Sequence, residues 1–464
     1  MSTEARPERA SARLSPRTIV LYAIGSLGTG GYATLPGLVL TYFLTDNLGV
    51  AALAAGLIVT AAKIWDVLID PLIGAASDRQ LARTGSRRGF MVTGALALPV
   101  FFALTFAVPP SWGPVTGAVC VLLAFLATAT AFSLFQVPYV ALPAELTGSY
   151  DERTRLLGWR VVVLTASILL FGAGGPALRK AGSDQVIGYL LMGIVAGLVI
   201  GIGMFIAART ADVAAARTSP AGQAAAAPNG IREQYLSGFR ALRRSQPFRA
   251  LLGTFLLQAL ATGTMLAGAQ YVATWVLESQ AAVTLLFIAL IAPAVLFAPV
   301  WQAVSRRVGK ERAFVAASLL FALAALALTA LLAAPGDWVY LPVALAGAGF
   351  AGMQSLPLSM LPDVISTDAA SHGGSAAGTF GGVWTAGETT GMALGATALT
   401  VVLAVTGYVD SVAGQTVTQP PAAIAGIVVS FSIVPAALVV VSLWAFSRYP
   451  LRKNTVDRPV EART

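Results

Sequence analysis

The sequence predicts an all-α membrane protein with twelve transmembrane helices in two pseudo-symmetric six-helix bundles. Of its 464 residues, 56% are hydrophobic and 11% are charged, whereas soluble domains carry about 25% charged residues. A helix needs about 20 apolar residues to cross a bilayer. Twelve stretches meet that need, at roughly residues 18–45, 50–77, 89–109, 115–145, 154–177, 186–208, 248–277, 281–304, 312–334, 338–362, 374–406 and 422–447.

Basic residues predict the orientation and the domain organisation. Of the 30 Lys and Arg residues, 26 fall in the tails and in alternate connections, on the side of both termini. Cytoplasmic loops carry such an excess, so we expect both termini in the cytoplasm and the chain in the plasma membrane. The same bias explains the net charge of +9 without a nucleic-acid partner. The predicted units are a cytoplasmic tail (1–17), a first bundle (18–208), a cytoplasmic linker with an amphipathic helix (209–247), a second bundle (248–447) and a cytoplasmic tail (448–464).

The two predicted bundles repeat each other in sequence. Pro138 and Pro143 recur as Pro357 and Pro362, at an offset of 219 residues. A basic loop also follows the second span of each half. Parallel six-helix repeats are a transporter architecture, with the binding site near the bilayer midplane between the halves.

Three charged residues lie within the second hydrophobic stretch. Lys63, Asp66 and Asp70 stand at spacings of three, four and seven, which places them on one helical face. A charge at mid-helix costs about 2.5–3.5 kcal/mol unless it is paired or hydrated. Pro71 lacks an N–H, so the Val67 carbonyl loses its helical partner. Two carboxylates, one ammonium and this carbonyl predict a site for one monovalent cation. The alternative is that the charges only pair to hold helices together.

These features resemble the major facilitator superfamily, and within it the glycoside–pentoside–hexuronide:cation symporters. Gly74-x-x-x-Asp78-Arg79, followed by Gly85-Ser-Arg87-Arg88, is similar to the superfamily's signature loop. The narrower fingerprints are Trp65-Asp66-x-x-x-Asp70-Pro71, Pro138-Tyr139-x-Ala-Leu-Pro-Ala-Glu145 and Tyr150-Asp-Glu-Arg-Thr-Arg-Leu-x-x-Trp159-Arg160. The resemblance implies the major facilitator fold. It also implies that Asp66 and Asp70 are the coupling-cation carboxylates and that Arg160 is a buried basic residue of helix five.

The solute pocket is predicted between the first, fourth, fifth and eleventh spans. The chain departs here from the melibiose permease group, whose sugar-binding aspartates fall about where this chain has Gly30 and Gln136. A family lysine is replaced by Glu388, so we expect a solute other than a melibiose-like galactoside. Three roles are open for Glu388: a solute contact, a proton-carrying carboxyl, or the partner of Arg160. The expected pocket residues are Thr29, Tyr32, Gln136, Tyr139, Trp159, Arg160, Trp384 and Glu388.

Charges at the end of the second span predict a conformational latch. Asp78 and Arg79 lie where this helix leaves the membrane, and Arg87 and Arg88 follow Asp78 by nine and ten residues. We expect these charges to pair across the two halves and to separate when the cytoplasmic side opens. The alternative is that the arginines set only the membrane topology.

Together these features predict a monomeric secondary active transporter, a symporter that uses a Na⁺ or H⁺ gradient to move a small organic solute such as a glycoside. Two alternatives are a proton-coupled exporter or lysolipid transporter of the same fold, and a non-transporting membrane sensor or scaffold. The expected partners are the solute and the lipid bilayer. We expect no cofactor, no metal beyond Na⁺ at Asp66 and Asp70, and no enzymatic activity, because metalloprotease, nucleophile-elbow and paired-cysteine motifs are missing from the sequence.

Overall fold

The computed structural model describes residues 13–147, 149–217, 240, 242–279, 281–372, 377–415 and 417–451. These residues form helices and one isolated β-bridge. Eleven helices are long and apolar enough to cross a membrane. A segmented first span completes the predicted twelve, so the predicted fold class is confirmed. The predicted amphipathic helix of the linker, and much of both tails, lie outside the described residues.

The twelve spans run as follows. In the first half they are Pro16–Ile24 with Ser26–Leu35, Pro36–Leu40 and Thr41–Asp46 (span 1), Ala52–Thr84 (span 2), Arg88–Phe106 (span 3), Pro114–Leu146 (span 4), Tyr150–Lys180 (span 5) and Gln185–Ala208 (span 6), which Thr210–Arg217 follows. In the second half they are Gln246–Tyr271 with Val272–Val276 (span 7), Ala282–Val308 (span 8), Lys310–Ala327 with Leu328–Leu332 (span 9), Tyr340–His372 (span 10), Ala377–Val405 (span 11) and Pro421–Phe431 with Ile433–Phe446 (span 12).

The sequence marks several of these helix ends. The Ser15 and Ser245 hydroxyls and the Asp184 carboxylate accept hydrogen bonds from backbone N–H groups three residues on. Such N-caps satisfy donors that the first helical turn leaves unpaired. Gly85 ends span 2 with φ +73°, a left-handed conformation that a residue without Cβ adopts at little cost.

Proline interrupts two spans that the hydropathy pattern predicts as continuous. At Pro36 span 1 changes to a π-helical segment, and span 12 breaks at Ser432, three residues before Pro435. A helical proline removes one N–H and crowds the carbonyl four residues earlier, which explains both interruptions. Pro71 and Pro138, by contrast, lie inside unbroken helices.

Packing between the spans repeats with a shift of six. In the first half span 1 packs on spans 5 and 6, span 2 on span 4, and span 3 on spans 4 and 6. In the second half span 7 packs on spans 11 and 12, span 8 on span 10, and span 9 on spans 10 and 12. The main contacts between the halves are span 2 with span 11 and span 5 with span 8. Span 8 is the repeat of span 2, and span 11 is the repeat of span 5. The two contacts between the halves are therefore equivalent, as a two-fold pseudo-symmetry axis requires.

The two ends of the bundle differ in charge. We call the end that carries the loops after spans 2 and 8 the basic end, because Arg87, Arg88, Arg306 and Arg307 lie there. The other end, where Asp46 and Asp410 lie, we call the opposite end.

Side chains join the halves at the opposite end. The Tyr408 hydroxyl donates to Asp46 Oδ1 over 2.6 Å, and the hydroxyls of Thr45 and Tyr271 lie 2.7 Å apart. All four residues are buried. Hydrogen bonds inside a protein gain strength from the low local dielectric, so this group holds the ends of spans 1, 7 and 11 together.

The backbone joins the halves at the same place. The N–H of Ser411 donates to the Thr45 carbonyl over 3.0 Å, and that of Ala413 donates to the Asn47 carbonyl over 3.1 Å. Leu48 and Val412 form the isolated antiparallel bridge. The loop after span 11 therefore lies as a short strand against the end of span 1. We call these main-chain pairs and the four side chains above the seal.

Close helix approach extends the seal toward the middle of the molecule. A Cβ atom at Gly56 would lie 2.0 Å from the Thr400 hydroxyl, and one at Gly172 would lie 1.9 Å from the Phe287 ring. Small residues let membrane helices approach this closely. These two glycines lie in the span 2–11 and span 5–8 contacts. The halves therefore meet toward the opposite end.

Candidate functional site

The three charged residues of span 2 lie together on the face that looks toward span 1. Lys63 Nζ donates to Asp66 Oδ2 over 3.2 Å and lies 4.0 Å from the centre of the Tyr32 ring. The Tyr32 hydroxyl donates to the same carboxylate oxygen over 3.2 Å. Helical spacing and the packing of span 1 thus bring a cation, an aromatic face and a carboxylate into one buried group, a combination in which the ring quadrupole also attracts the ammonium.

Both acids keep an oxygen without a hydrogen-bond partner. Oδ1 of Asp66 and Oδ1 of Asp70 are buried and accept no hydrogen bond from the described residues. The Ser133 hydroxyl of span 4 lies near Asp70. An unsatisfied buried acceptor costs about 1–3 kcal/mol, and more if it is charged. Two such oxygens beside one hydroxyl form a set of hard ligands for a small cation.

The site carries one net negative charge, because Lys63 offsets only one of the two aspartates. Among the described residues there is no group of three or more His, Cys, Asp and Glu side chains that could hold a metal ion. One monovalent cation would neutralise the site. Val67 has an interaction of its own, and the role of its carbonyl as a cation ligand stays a prediction.

Polar residues of spans 1 and 4 continue the site. The Thr29 hydroxyl donates to Gln136 Oε1 over 2.8 Å, and both residues are partly exposed. Tyr32 stacks on Phe132 with ring centres 4.1 Å apart. The structure therefore brings together three of the predicted pocket residues, Thr29, Tyr32 and Gln136, on the side of span 1 that meets span 4.

Arg160 and Glu388 are not paired with each other in this conformation. Glu388 Oε1 accepts from the Gln354 amide over 2.6 Å. Arg160 lies 5.3 Å from the Tyr139 ring centre, and its Nε is buried without a hydrogen-bond partner among the described residues. Pairing with Arg160 is one of the three roles left open for Glu388, and in this conformation the partner of Glu388 is Gln354 of span 10. Gln354 was not among the predicted site residues, although a polar residue three positions before the repeated Pro357 was a usable signal.

The predicted aromatic residues occupy different surroundings. Tyr139 is fully buried inside the first bundle, where its hydroxyl donates to the Tyr22 carbonyl over 2.8 Å. Trp384 is buried and stacks on Phe255 with ring centres 4.3 Å apart. Trp159 is exposed. In this conformation Tyr139 and Trp384 each pack inside their own bundle and do not face an open pocket.

At the basic end Arg87 is the centre of a charge cluster. It donates to Asp78 over 2.6 Å, to Glu145 over 2.6 Å and to the Ser77 hydroxyl over 2.8 Å. Burial lowers the pKa of Arg87, but the hydrogen bonds and charges of Glu145 and Asp78 outweigh it and raise the pKa above its usual value. The guanidinium therefore stays charged and ties span 4 to the end of span 2.

In this conformation the residues of the predicted latch pair within the first half. Asp78, Arg87 and Glu145 all belong to that half, because the loop after span 2 folds back over its own helix end. Pairing across the two halves stays a prediction for the conformation in which the basic end is closed. Arg88 likewise pairs within the half, with Asp212 over 2.6 Å, and Arg79 is exposed.

The second half has an equivalent contact. Lys310, which follows span 8, donates to Asp363 over 2.6 Å. Asp363 follows Pro362 directly, while Glu145 stands two residues after Pro143. Each half thus fixes its basic loop to the end of its own fourth helix, which fits two halves that move as rigid units.

Comparisons with known proteins identify the family of this chain. A family model described as MFS/sugar transport protein matches residues 21–453. The chain is 24% identical over 453 residues to the glucuronide carrier protein homolog of Escherichia coli (strain K12), covering 95% of this chain and 93% of that protein. It is 35% identical over 148 residues to an uncharacterized symporter, sll1374, of Synechocystis sp., which covers 31% of this chain but only 27% of that protein.

A solved structure shares the fold. The inward-open xylose transporter XylE from E. coli superposes with a TM-score of 0.65, at 13% identity, over 96% of this chain and 97% of that one. These relatives and neighbours are membrane transporters and not enzymes. The family match spans nearly the whole chain, and it agrees with the resemblance drawn from the motifs of spans 2, 4 and 5. The protein is therefore a multi-pass membrane transporter that belongs to the MFS/sugar transport protein family of the major facilitator superfamily.

Proposed function

We propose that this protein is a symporter in which one monovalent cation, Na⁺ or H⁺, binds between Asp66 and Asp70 and drives uptake of a small organic solute. The observation that carries the proposal is the pair of buried carboxylate oxygens without partners. Ionisable groups inside membranes are costly and mark ion pathways. Bound cation and solute together would then permit one half to rock against the other.

The solute that suits the site is a glycoside with a carboxylate group. Thr29 and Gln136 offer hydroxyl and amide groups, which suit sugar hydroxyls. The buried Nε of Arg160 has no partner among the described residues and would donate to an anionic group. A relative of this chain is named a glucuronide carrier protein homolog, and a glucuronide carries such a carboxylate. The same polar groups disfavour the lysolipid alternative.

The orientation that we propose puts the basic end in the cytoplasm. The positive-inside rule supports it, with both termini on that side and the protein acting as a single chain in the plasma membrane. In this orientation the seal lies on the extracellular side. The described conformation is then the one that opens the cation site toward the cytoplasm.

The test is uptake of a labelled aryl glucuronide into proteoliposomes under an inward Na⁺ gradient, an inward H⁺ gradient, or neither. Asp66→Asn and Asp70→Asn should abolish accumulation, because each removes a charged oxygen from a small ligand set, while solute exchange at equal concentrations survives. Asp212→Asn, which breaks an exposed ion pair, is the matched control and should accumulate normally. Accumulation by both Asn variants at the parental level would refute the cation site.

The solute class is tested separately. Arg160→Gln should lose uptake of the glucuronide and keep any uptake of the matching neutral glucoside, because only the former needs a positive partner. Equal loss of uptake of both compounds would show that Arg160 stabilises the fold and does not recognise the carboxylate of the solute. Efflux of solute driven by a H⁺ gradient, with no uptake under either gradient, would favour the exporter alternative.

A further inference from the structure

A cavity of about 280 Å³ lies at the opposite end, between spans 1, 5 and 6. It is separate from the cation site. One water molecule needs only about 10–15 Å³ of such space, whereas drug-sized ligands occupy pockets of about 300 Å³ or more. The cavity therefore has room for a small organic molecule. Its polar lining includes Asp46, Asn47, Arg179, Lys180, Asp184 and Gln185.

Arg179 supplies a positive charge to this cavity. It is 7% exposed, and its Nη1 donates to the Tyr189 hydroxyl over 3.0 Å and to Gln270 Oε1 over 3.2 Å. Both acceptors are neutral. No carboxylate of the described residues forms an ion pair with it. A buried charge normally has a counter-charge, and Lys180 beside it adds a second positive charge.

Asn47 supplies an amide with no partner. It is 1% exposed, and both its Oδ1 and its Nδ2 are buried without a hydrogen bond to the described residues. Buried polar side-chain atoms of this kind are nearly always satisfied by protein, water or a ligand. Asn47 lies on the cavity wall. Its amide atoms are not open to water in this conformation, so a molecule in the cavity reaches them after a small shift of the wall.

The acidic residues of the wall are already engaged. Asp46 accepts from Tyr408 at Oδ1 and from Thr45 at Oδ2, over 2.6 Å and 2.5 Å. Asp184 caps span 6 by accepting from the Ile187 N–H over 2.9 Å. The groups of the wall that can donate to a ligand are therefore two cations and one amide, and Asp46 and Asp184 add two formal negative charges to the same wall.

We propose that this cavity is a second binding site, for a small hydroxycarboxylate. The carboxylate would lie against Arg179 and Lys180, and a hydroxyl next to it would exchange hydrogen bonds with the Asn47 amide. A guanidinium presents a planar set of donors that matches a carboxylate. The amide can donate to and accept from one hydroxyl group, which an inorganic anion lacks.

The site is linked to the seal through two of its own residues. Arg179 reaches Gln270 of the second half, and the Asn47 carbonyl accepts from Ala413 of the second half. A ligand that contacts Arg179 and Asn47 binds best while these cross-half contacts hold. It therefore favours the sealed conformation, since a ligand shifts an equilibrium toward the state that it binds better.

The experiment measures binding of sodium gluconate to the purified protein in detergent, by calorimetry and by protection of a cysteine. Gln185→Cys, in a Cys120→Ser background, places the thiol on the cavity wall, and gluconate should slow its alkylation. Neutral glucitol, with sodium held constant by sodium chloride, should not. Arg179→Gln and Asn47→Ala should each weaken gluconate binding roughly tenfold or more, and Lys180→Gln, which changes an exposed residue, should weaken it less.

Two controls separate this site from the rest of the molecule. Arg209→Gln, at the basic end, should bind gluconate like the parent, and Arg160→Gln should also do so because Arg160 belongs to the proposed solute site and does not line this cavity. Gluconate binding that Arg160→Gln abolishes and Arg179→Gln spares would overturn the proposal, as would no binding or equal protection by chloride alone. Because Lys180→Gln alters only the surface, a loss of binding there in a stably folded protein supports the site even where Arg179→Gln fails to fold.

Discussion

The contact between spans 5 and 8 predicts that one methyl group can shift the conformational equilibrium. Alanine at Gly172 would place its Cβ 1.9 Å from Phe287 Cε1 and 2.2 Å from Cζ, whereas ordinary contact begins near 3.4 Å. Phe287 is buried, so its ring has little space to move away. The clash exists only while the halves touch at the opposite end.

The size of the effect follows from packing energetics. Inserting a carbon into a well-packed contact costs about 1–3 kcal/mol, and each 1.4 kcal/mol is about tenfold in an equilibrium constant. Gly172→Ala should therefore disfavour the sealed conformation by roughly 5- to 150-fold. Gly174→Ala is the matched control, because a Cβ at Gly174 has no atom within 4 Å.

The assay is alkylation of a cysteine inside the seal region. Thr397→Cys, in a Cys120→Ser background, replaces a hydroxyl that lies 2.6 Å from that of Thr60 in the other half. An impermeant maleimide added from outside should label it faster in Gly172→Ala than in the parent or in Gly174→Ala. The double variant Gly172→Ala/Phe287→Ala should return the rate toward the parent, because it removes the ring. Equal labelling of Gly172→Ala and Gly174→Ala would refute the reasoning.

Three further predictions concern the loops. Burial raises the pKa of Asp410 to about 6, above the usual value of about 3.9. Separation of the halves would hydrate this carboxyl, so the sealed conformation binds its proton more tightly than the open one. The stability that this proton adds to the sealed conformation is therefore lost as the pH rises through about 6. Labelling in the seal, relative to an exposed Ser111→Cys control, should fall from about pH 7 to pH 5, and Asp410→Asn should flatten this response; a parental response in that variant would assign it to another group. Arg87→Gln leaves Glu145 without its cation and should lower the free energy of unfolding by about 1.5–3 kcal/mol, because the other partner, Asp78, is half-exposed and regains water. Arg88→Gln, in its exposed pair, should lower it by about 1 kcal/mol or less, and equal losses would contradict the central role of Arg87. Finally, a cysteine at Ser111 should react with an impermeant reagent from outside intact cells and one at Ser447 should not, and the reverse result would invert the orientation.

The sequence by itself determined the spans, the halves and the charged face of span 2. Each of these depends on local patterns: apolar length, basic residues between spans, and helical periodicity. Lys63 and Asp66 are three residues apart, so a helix of any tertiary fold brings them together. The repeat of Pro138 and Pro143 as Pro357 and Pro362 likewise indicated two similar bundles before any contact was known.

Only the tertiary structure decided the partners of residues far apart in the chain. Asp46 and Tyr408 are separated by 362 positions, and whether they meet depends on how the two halves dock. Glu388 pairs with Gln354 and not with Arg160 because helix packing, not charge, sets which groups come within about 3 Å. The sequence could not predict, for the same reason, that two carboxylate oxygens of span 2 lack a hydrogen-bond partner. Whether a polar atom is unpaired depends on the position of every neighbouring helix.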